Sequence, residues 1–117
     1  MEGTNQILPS DEFPHWKTRV EKVKEYVLEN LAGDLRITTV CKKFNLNKFT
    51  LQHIFKAQQK ETYHEYVERI RMNKALQLLQ EGKWVKEVMP ATGYRNWSTF
   101  EKAFKRRFKY APVFFKK

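Results

Sequence analysis

The sequence predicts an all-α chain built from two copies of a short two-helix unit joined by a longer helix. Three observations carry that expectation. Among 117 residues there are only four Gly and four Pro, so interruptions of regular structure are few. Apolar residues recur at three- and four-residue spacing rather than in alternation. One pattern of apolar, turn and capping residues also occurs twice along the chain.

Each element follows from its residues. Trp16, Val20, Val23, Val27 and Leu31 form one stripe, which ends before Gly33-Asp34, a good helix stop. A short helix fits Ile37 to Phe44, with Ile37, Val40, Cys41 and Phe44 on one face. Asn45 follows where the chain must turn, and Asn tolerates the left-handed conformation better than most residues. Asn47 is a good N-cap for a second short helix, Lys48 to about Ala57, with Leu51, Ile54 and Phe55 inward. A longer helix fits Thr62 to Gln80, striped by Tyr66, Val67, Ile70, Ala75, Leu78 and Leu79 and stopped at Gly82.

The pattern then returns. Val85, Val88, Met89, Thr92, Gly93 and Tyr94 lie 48 positions after Ile37, Val40, Cys41, Phe44, Asn45 and Leu46. Asn96, Thr99, Phe100, Ala103, Phe104 and Lys105 lie 49 positions after Asn47, Thr50, Leu51, Ile54, Phe55 and Lys56. The one-residue slip falls in the turn, where an insertion is easiest to absorb. The expected organisation is a flexible tail (1–15), a first lobe (16–60), a linker helix (61–81) and a second lobe (82–117). Pro112 should restart a short C-terminal helix that packs Phe114 or Phe115 onto the second lobe.

Composition narrows the function classes. With 41% hydrophobic and 15% aromatic residues, the chain has the makings of a core. No run approaches the ~18 apolar residues of a membrane span, and the opening MEGTNQILPSDEF lacks the basic and apolar regions of a secretory signal. The single cysteine, Cys41, rules out an intramolecular disulfide and suits a reducing cytoplasm. The net charge of +10 is unevenly placed: residues 1–34 hold four basic and seven acidic residues, whereas residues 35–117 hold 19 basic and six acidic. A polyanion, nucleic acid or anionic membrane, is the first partner to consider.

Two short helices joined by a tight turn describe a helix-turn-helix, whose second helix lies in the DNA major groove. Such a helix needs an apolar inner face and an outer face of hydrogen-bonding and basic groups. Lys48–Ala57 places Lys48, Phe49, Gln52, His53 and Lys56 outward, and the second copy places Trp97, Ser98, Glu101, Lys102, Lys105 and Arg106 outward. A linker of about 19 residues spans ~28 Å, and successive major grooves on one DNA face lie ~34 Å apart. A single chain can thus offer both second helices to adjacent grooves.

From about Leu35 to Phe115 the chain resembles the DNA-binding region of the AraC/XylS family of bacterial transcription regulators. The resemblance rests on ITTVCKKF, LNKFTLQHIFK, YVERIRMNKALQLL and TGYRNWSTFEKAFKRRFKYAPVFF, with Gly93 to Lys105 matching the pattern G-[FY]-x(3)-[ST]-x-F-x(3)-F-[KR]. It implies two homeodomain-like helix-turn-helix lobes on a long linker helix and control of transcription initiation, often activation through contact with RNA polymerase. It implies a cytoplasmic, nucleoid-associated protein without a cofactor. Family members usually carry a separate sensing or dimerisation domain, and none fits in residues 1–34.

Carried over by position, the resemblance makes Phe49, Gln52 and His53 the base readers of the first lobe. Gln52 suits adenine N6 and N7, Phe49 a thymine methyl and His53 guanine or a phosphate. In the second lobe the readers are Trp97, Ser98, Glu101 and Lys102, with Glu101 suited to cytosine and Lys102 to guanine. Lys48, Thr50, Lys56, Arg95, Lys105, Arg106 and Arg107 fit phosphate contacts, and the helix starts at Asn47 and Asn96 can offer backbone N–H groups. Arg71 fits a structural bridge as well as a DNA contact, and Trp16 is expected to pack the first helix onto the first lobe.

The sequence departs from the family pattern in places. Lys60 and Lys109 stand where glycine is common after the reading helices, which should forfeit an easy left-handed turn while adding charge near the phosphates. Met89 replaces a small residue, and Pro90 inside its helix is expected to kink it, at about 3 kcal/mol in a regular interior, and to loosen the second lobe.

Enzymatic readings are thin. His15, Cys41, His53 and His64 have no metal-ligand spacing, Ser10 and Ser98 sit in no nucleophile elbow, and four scattered glycines form no phosphate loop. The remaining alternatives are a helical protein-interaction module and a non-specific DNA binder. The first needs no basic and amide groups on both second helices. A membrane-surface protein would need an amphipathic helix free of core duty, and none stands out.

Overall fold

The structure, a computed structural model, describes residues 14–117, with side chains from Lys17 onward. Six α-helices are described: α1 (Pro14–Glu29), α2 (Ile37–Phe44), α3 (Lys48–Gln59), α4 (Tyr63–Gln80), α5 (Val85–Ala91) and α6 (Trp97–Phe108). A 3-10 turn follows at Pro112–Phe115, and no strand occurs among the described residues. The described residues are all-α, as the periodicity predicts. Most of the expected tail, and the packing expected of Trp16, lie outside the described residues.

The residues gather into two units that interleave along the sequence. One takes α1 and Leu35–Tyr66; the other takes Asn30–Asp34 and Val67–Lys117. This differs from the consecutive lobes drawn from the sequence, because α4 supplies its first residues to one unit and the rest to the other.

In the first unit, three helices contribute one apolar face each. Val20, Val23 and Val27 of α1, Val40 and Cys41 of α2, and Leu51, Ile54 and Phe55 of α3 are buried. Each such side chain is worth roughly 1.5–3 kcal/mol when fully withdrawn from water. The Phe55 ring meets Tyr63 and Tyr66 edge-on at 5.6 and 5.1 Å, and the Tyr63 hydroxyl donates to the Leu35 carbonyl at 2.8 Å. At the end of α2, Arg19 donates to the Phe44 carbonyl at 2.6 Å, satisfying one of the acceptors a helix end leaves open.

Leu31 does not continue the α1 stripe. The helix stops at Glu29, and the Asn30 carbonyl turns to accept from Gly33 N–H at 2.8 Å. Helix α4 starts on a capping box: Glu65 N–H donates to Thr62 Oγ1 at 3.0 Å, and Thr62 N–H donates to the Glu65 carboxylate at 2.8 Å. The bond accepted from Thr62 N–H holds the Glu65 carboxyl below its ordinary range.

The second unit is built on Met72, Ala75 and Leu79 of α4, Val88 of α5, and Phe100, Ala103 and Phe104 of α6. Phe108 and Phe115 flank Phe104, at 4.7 and 5.6 Å between ring centres. The C-terminal turn thus uses Phe115 as its anchor and leaves Phe114 outside. The core beside Pro90 is closed. Pro90 is the last residue but one of α5, so only the Lys86 carbonyl loses a helical donor, and both residues are exposed to water. Val88 and Thr92 stay fully buried, and the Thr92 hydroxyl lies 2.9 Å from the Val88 carbonyl, to which it donates.

The repeat extends to the backbone. Asn45, at φ 53°, ends α2, and Leu46 N–H donates back to the Cys41 carbonyl at 2.8 Å. Gly93, at φ 91°, follows α5, and Tyr94 N–H donates to the Met89 carbonyl at 3.0 Å. Lys60 and Lys109 end α3 and α6 at φ 61° and 74°. The left-handed turns survive without glycine, so α3 runs on to Gln59, two residues past the expected Ala57. Each lysine bears a steric cost of about 1–2 kcal/mol for that conformation.

Candidate nucleic-acid interface

Helices α3 and α6 are each divided cleanly between core and solvent. In α3, Leu51, Ile54 and Phe55 have no accessible surface, while Lys48, Phe49, Gln52, His53 and Lys56 are exposed, Phe49 by 76%. A phenylalanine so exposed places little of its ring in the core. Its ring stacks on His53, with centres 6.4 Å apart and planes 18° from parallel. Thr50 is half-buried.

Asn47 caps α3 as expected, its Oδ1 accepting from Phe49 N–H at 2.7 Å and Thr50 N–H at 3.2 Å. The cap aligns the first turn, where helix amides and the positive end of the helix dipole favour an anion.

In α6, Phe100, Ala103 and Phe104 point inward, and Ser98, Lys102, Lys105, Arg106 and Arg107 point outward. Asn96 repeats the cap, accepting from Thr99 N–H at 2.9 Å. Arg95 and Asn96 are exposed beside it. Trp97 is divided between roles: 46% of it is exposed, and its ring leans on Phe100 at 6.0 Å.

Three predicted contact residues have partners within the chain. Glu101 is half-buried and pairs with Lys105 at 3.7 Å, and Arg106 meets the Glu68 carboxylate of α4 at 3.0 Å. Exposed pairs of this kind contribute ~0–1 kcal/mol, so a phosphate can compete for either cation. Nothing in the sequence signalled the Arg106–Glu68 pair, because the residues stand 38 positions apart.

Arg71 has a structural role in the second unit. Its Nε donates to the Leu31 carbonyl at 3.1 Å, its Nη2 to the Gly33 carbonyl at 2.9 Å, and its guanidinium lies 5.8 Å from the Tyr94 ring centre. Burial, aided by the Glu68 charge, pushes the Tyr94 phenol above its usual range. Cys41 is also buried, and burial raises its thiol despite the opposing charge of Lys48.

Among the described residues, no three His, Cys, Asp or Glu side chains gather as a metal site. No described helix is long and apolar enough to cross a membrane.

Comparison with known proteins agrees with this geometry. A family model described as a helix-turn-helix domain matches residues 40–117. The chain is 30% identical over 102 residues to the Msm operon regulatory protein of Streptococcus mutans, covering 86% of this chain and 37% of that protein. It is 27% identical over 94 residues to the regulatory protein SoxS of Salmonella typhimurium, covering 80% of this chain and 88% of that one. Its fold matches the C-terminal domain of AraT, a response regulator from Geobacillus stearothermophilus, with a TM-score of 0.80 at 23% identity, covering 84% of this chain and 83% of that domain. The chain therefore spans about a third of the first of these relatives and most of the second. With two capped helix-turn-helix units and a family match over two-thirds of its length, the chain belongs to the AraC-type helix-turn-helix family of transcription regulators.

Proposed function

We propose that this chain is a sequence-specific transcription regulator that inserts α3 and α6 into adjacent major grooves of one DNA duplex and activates transcription through RNA polymerase. The observation that carries the reading is the shared division of α3 and α6. Each has a fully buried apolar face, an asparagine-capped start and an outer face of aromatic, amide and basic groups. In α3, Phe49, Gln52 and His53 read bases. In α6, Trp97, Ser98, Glu101 and Lys102 do so.

Asn47, Lys48, Thr50, Lys56, Arg95, Asn96, Lys105, Arg106 and Arg107 hold the phosphates and set the register. Arg106 exchanges Glu68 for phosphate on binding. This work takes place at the chromosome, in the cytoplasm, and requires no reaction and no cofactor.

Selection from a randomised DNA pool, followed by binding of the selected and scrambled duplexes across salt concentrations, tests the proposal. The expected result is a two-part site with its halves about one helical turn apart, bound at least ~10³-fold more tightly than the scrambled duplex. A single half-site would restrict reading to one helix. Equal affinity for both duplexes with a steep salt dependence would leave only backbone binding and overturn the proposal.

A further inference from the structure

The turn after α6 carries apolar side chains that the fold does not use. Tyr110, Val113 and Phe114 are 60%, 64% and 73% exposed, and the Tyr110 and Phe114 rings meet edge-on at 5.7 Å. The turn beneath them is held in place. Pro112 is buried, Phe115 lies against Phe104 and Phe108, and Lys117 N–H donates to the Leu79 carbonyl at 3.0 Å. The three side chains thus form a supported patch, the kind of surface that marks an interaction site.

We propose that this patch docks a partner protein through an acidic helix with one apolar face. Charge selects the occupant. Beyond the cations assigned to phosphate, residues 108–117 contain three lysines, Lys109, Lys116 and Lys117, and no acidic residue, so a partner needs carboxylates around an apolar stripe. A second copy of the chain would set the same cations against each other.

The DNA read by this family is not the occupant either. The reading positions Trp97–Lys102 lie in the first half of α6, and the six residues from Ala103 to Phe108 add ~9 Å of helix before the patch begins. A duplex offers its bases' apolar surface only in the groove. A lipid surface calls for an extended amphipathic helix, whereas this turn is four residues long. The inference goes beyond the DNA-reading proposal and does not depend on which bases are read.

Calorimetric titration of the full chain tests it, with a synthetic amphipathic peptide of about 18 residues, long enough to be helical, bearing Leu and Phe on one face and Glu on the other. The expected result is saturable binding, weakened about tenfold or more when Glu is replaced by Gln in the peptide, and likewise when the chain carries Val113→Ser with Phe114→Ser. Both sites are exposed, so circular dichroism should be unchanged, and affinity for the selected DNA should also be unchanged. Lys109→Glu should weaken the peptide without touching the apolar groups.

Four results would overturn the inference. They are no peptide binding or equal binding of the Gln peptide; a loss of DNA affinity in the double serine variant; a wild-type dimer in sedimentation that this variant abolishes; and binding to vesicles of phosphatidylcholine and phosphatidylglycerol that it abolishes.

Discussion

Gly93 is the position where a single methyl group should do most damage. Its φ of +91° is one that L side chains rarely adopt, and an alanine Cβ would strike the Leu31 carbonyl oxygen and lie 2.6 Å from Arg71 Nη2. The conformational part costs about 1–2 kcal/mol. Relief of the contact requires Arg71 to withdraw from the Leu31 and Gly33 carbonyls, and a hydrogen bond from a charged donor is worth roughly 1.5–3 kcal/mol. With two such bonds lost, Gly93→Ala should cost about 4–8 kcal/mol, a large share of the ~5–15 kcal/mol available to a folded domain.

Gly82 supplies the control. It has a φ of +94° and open space around its Cα, so Gly82→Ala should cost only the conformational part, about 1–2 kcal/mol. Urea unfolding followed by tryptophan fluorescence compares the two, since Trp84 and Trp97 both belong to the second unit. Equal losses for the two substitutions, within ~0.5 kcal/mol, would refute the close-approach argument. In a Gly93→Ala background, Arg71→Ala should also cost less than in the native chain, because the arginine has already left its acceptors.

Other outcomes follow from the same structure. Lys60→Gly should raise stability by about 1 kcal/mol in urea denaturation, since glycine takes the left-handed cap without a Cβ clash. Burial raises the Cys41 thiol above its unfolded value, so its contribution is complete below about pH 8.5 and is lost as pH rises. Denaturation midpoints measured at a series of alkaline pH values should fall less steeply for Cys41→Ala. In DNA binding, Gln52→Ala should lose about 1–3 kcal/mol at one base pair only. Lys48→Ala should weaken all sequences alike and lower the salt slope by about one, both read by titration of labelled duplexes.

Local structure was legible in the sequence because local rules govern it. The offset of 48 and 49 positions located both helix-turn-helix units, Asn47 and Asn96 both cap their helices as read, and the buried faces of α3 and α6 are those their periodicity indicates. The readings that failed concern energies decided elsewhere in the fold. Lys60 and Lys109 were expected to forfeit the left-handed turn, yet both adopt it, each cap N–H donating to the carbonyl four residues back. Pro90 looked disruptive from its place in a repeat, but it stands one residue from a helix end, where the carbonyl it orphans faces water. Arg71 and Arg106 are tied to groups about forty positions away, and no periodic pattern records which acceptor a long side chain will find. The outer faces of α3 and α6 were legible as exposed and polar. Which base each residue meets depends on DNA, and the chain alone does not encode it.

The interleaving of the two units has a consequence for the order in which the chain is made. Synthesis runs from the N-terminus at roughly 5–20 residues per second. The first unit has all of its residues once Tyr66 has emerged, and its core can close then. The Asn30–Asp34 loop cannot settle at that stage. Its arginine clamp comes from residue 71, and the glycine that nests against it comes from residue 93. During that interval of a few seconds the early loop waits on a later part of the chain, with its carbonyls open to water or to a chaperone. Truncation after Tyr66 would make that wait permanent, so a shortened chain should show the 30–34 amides exchanging freely while α1 to α3 remain protected.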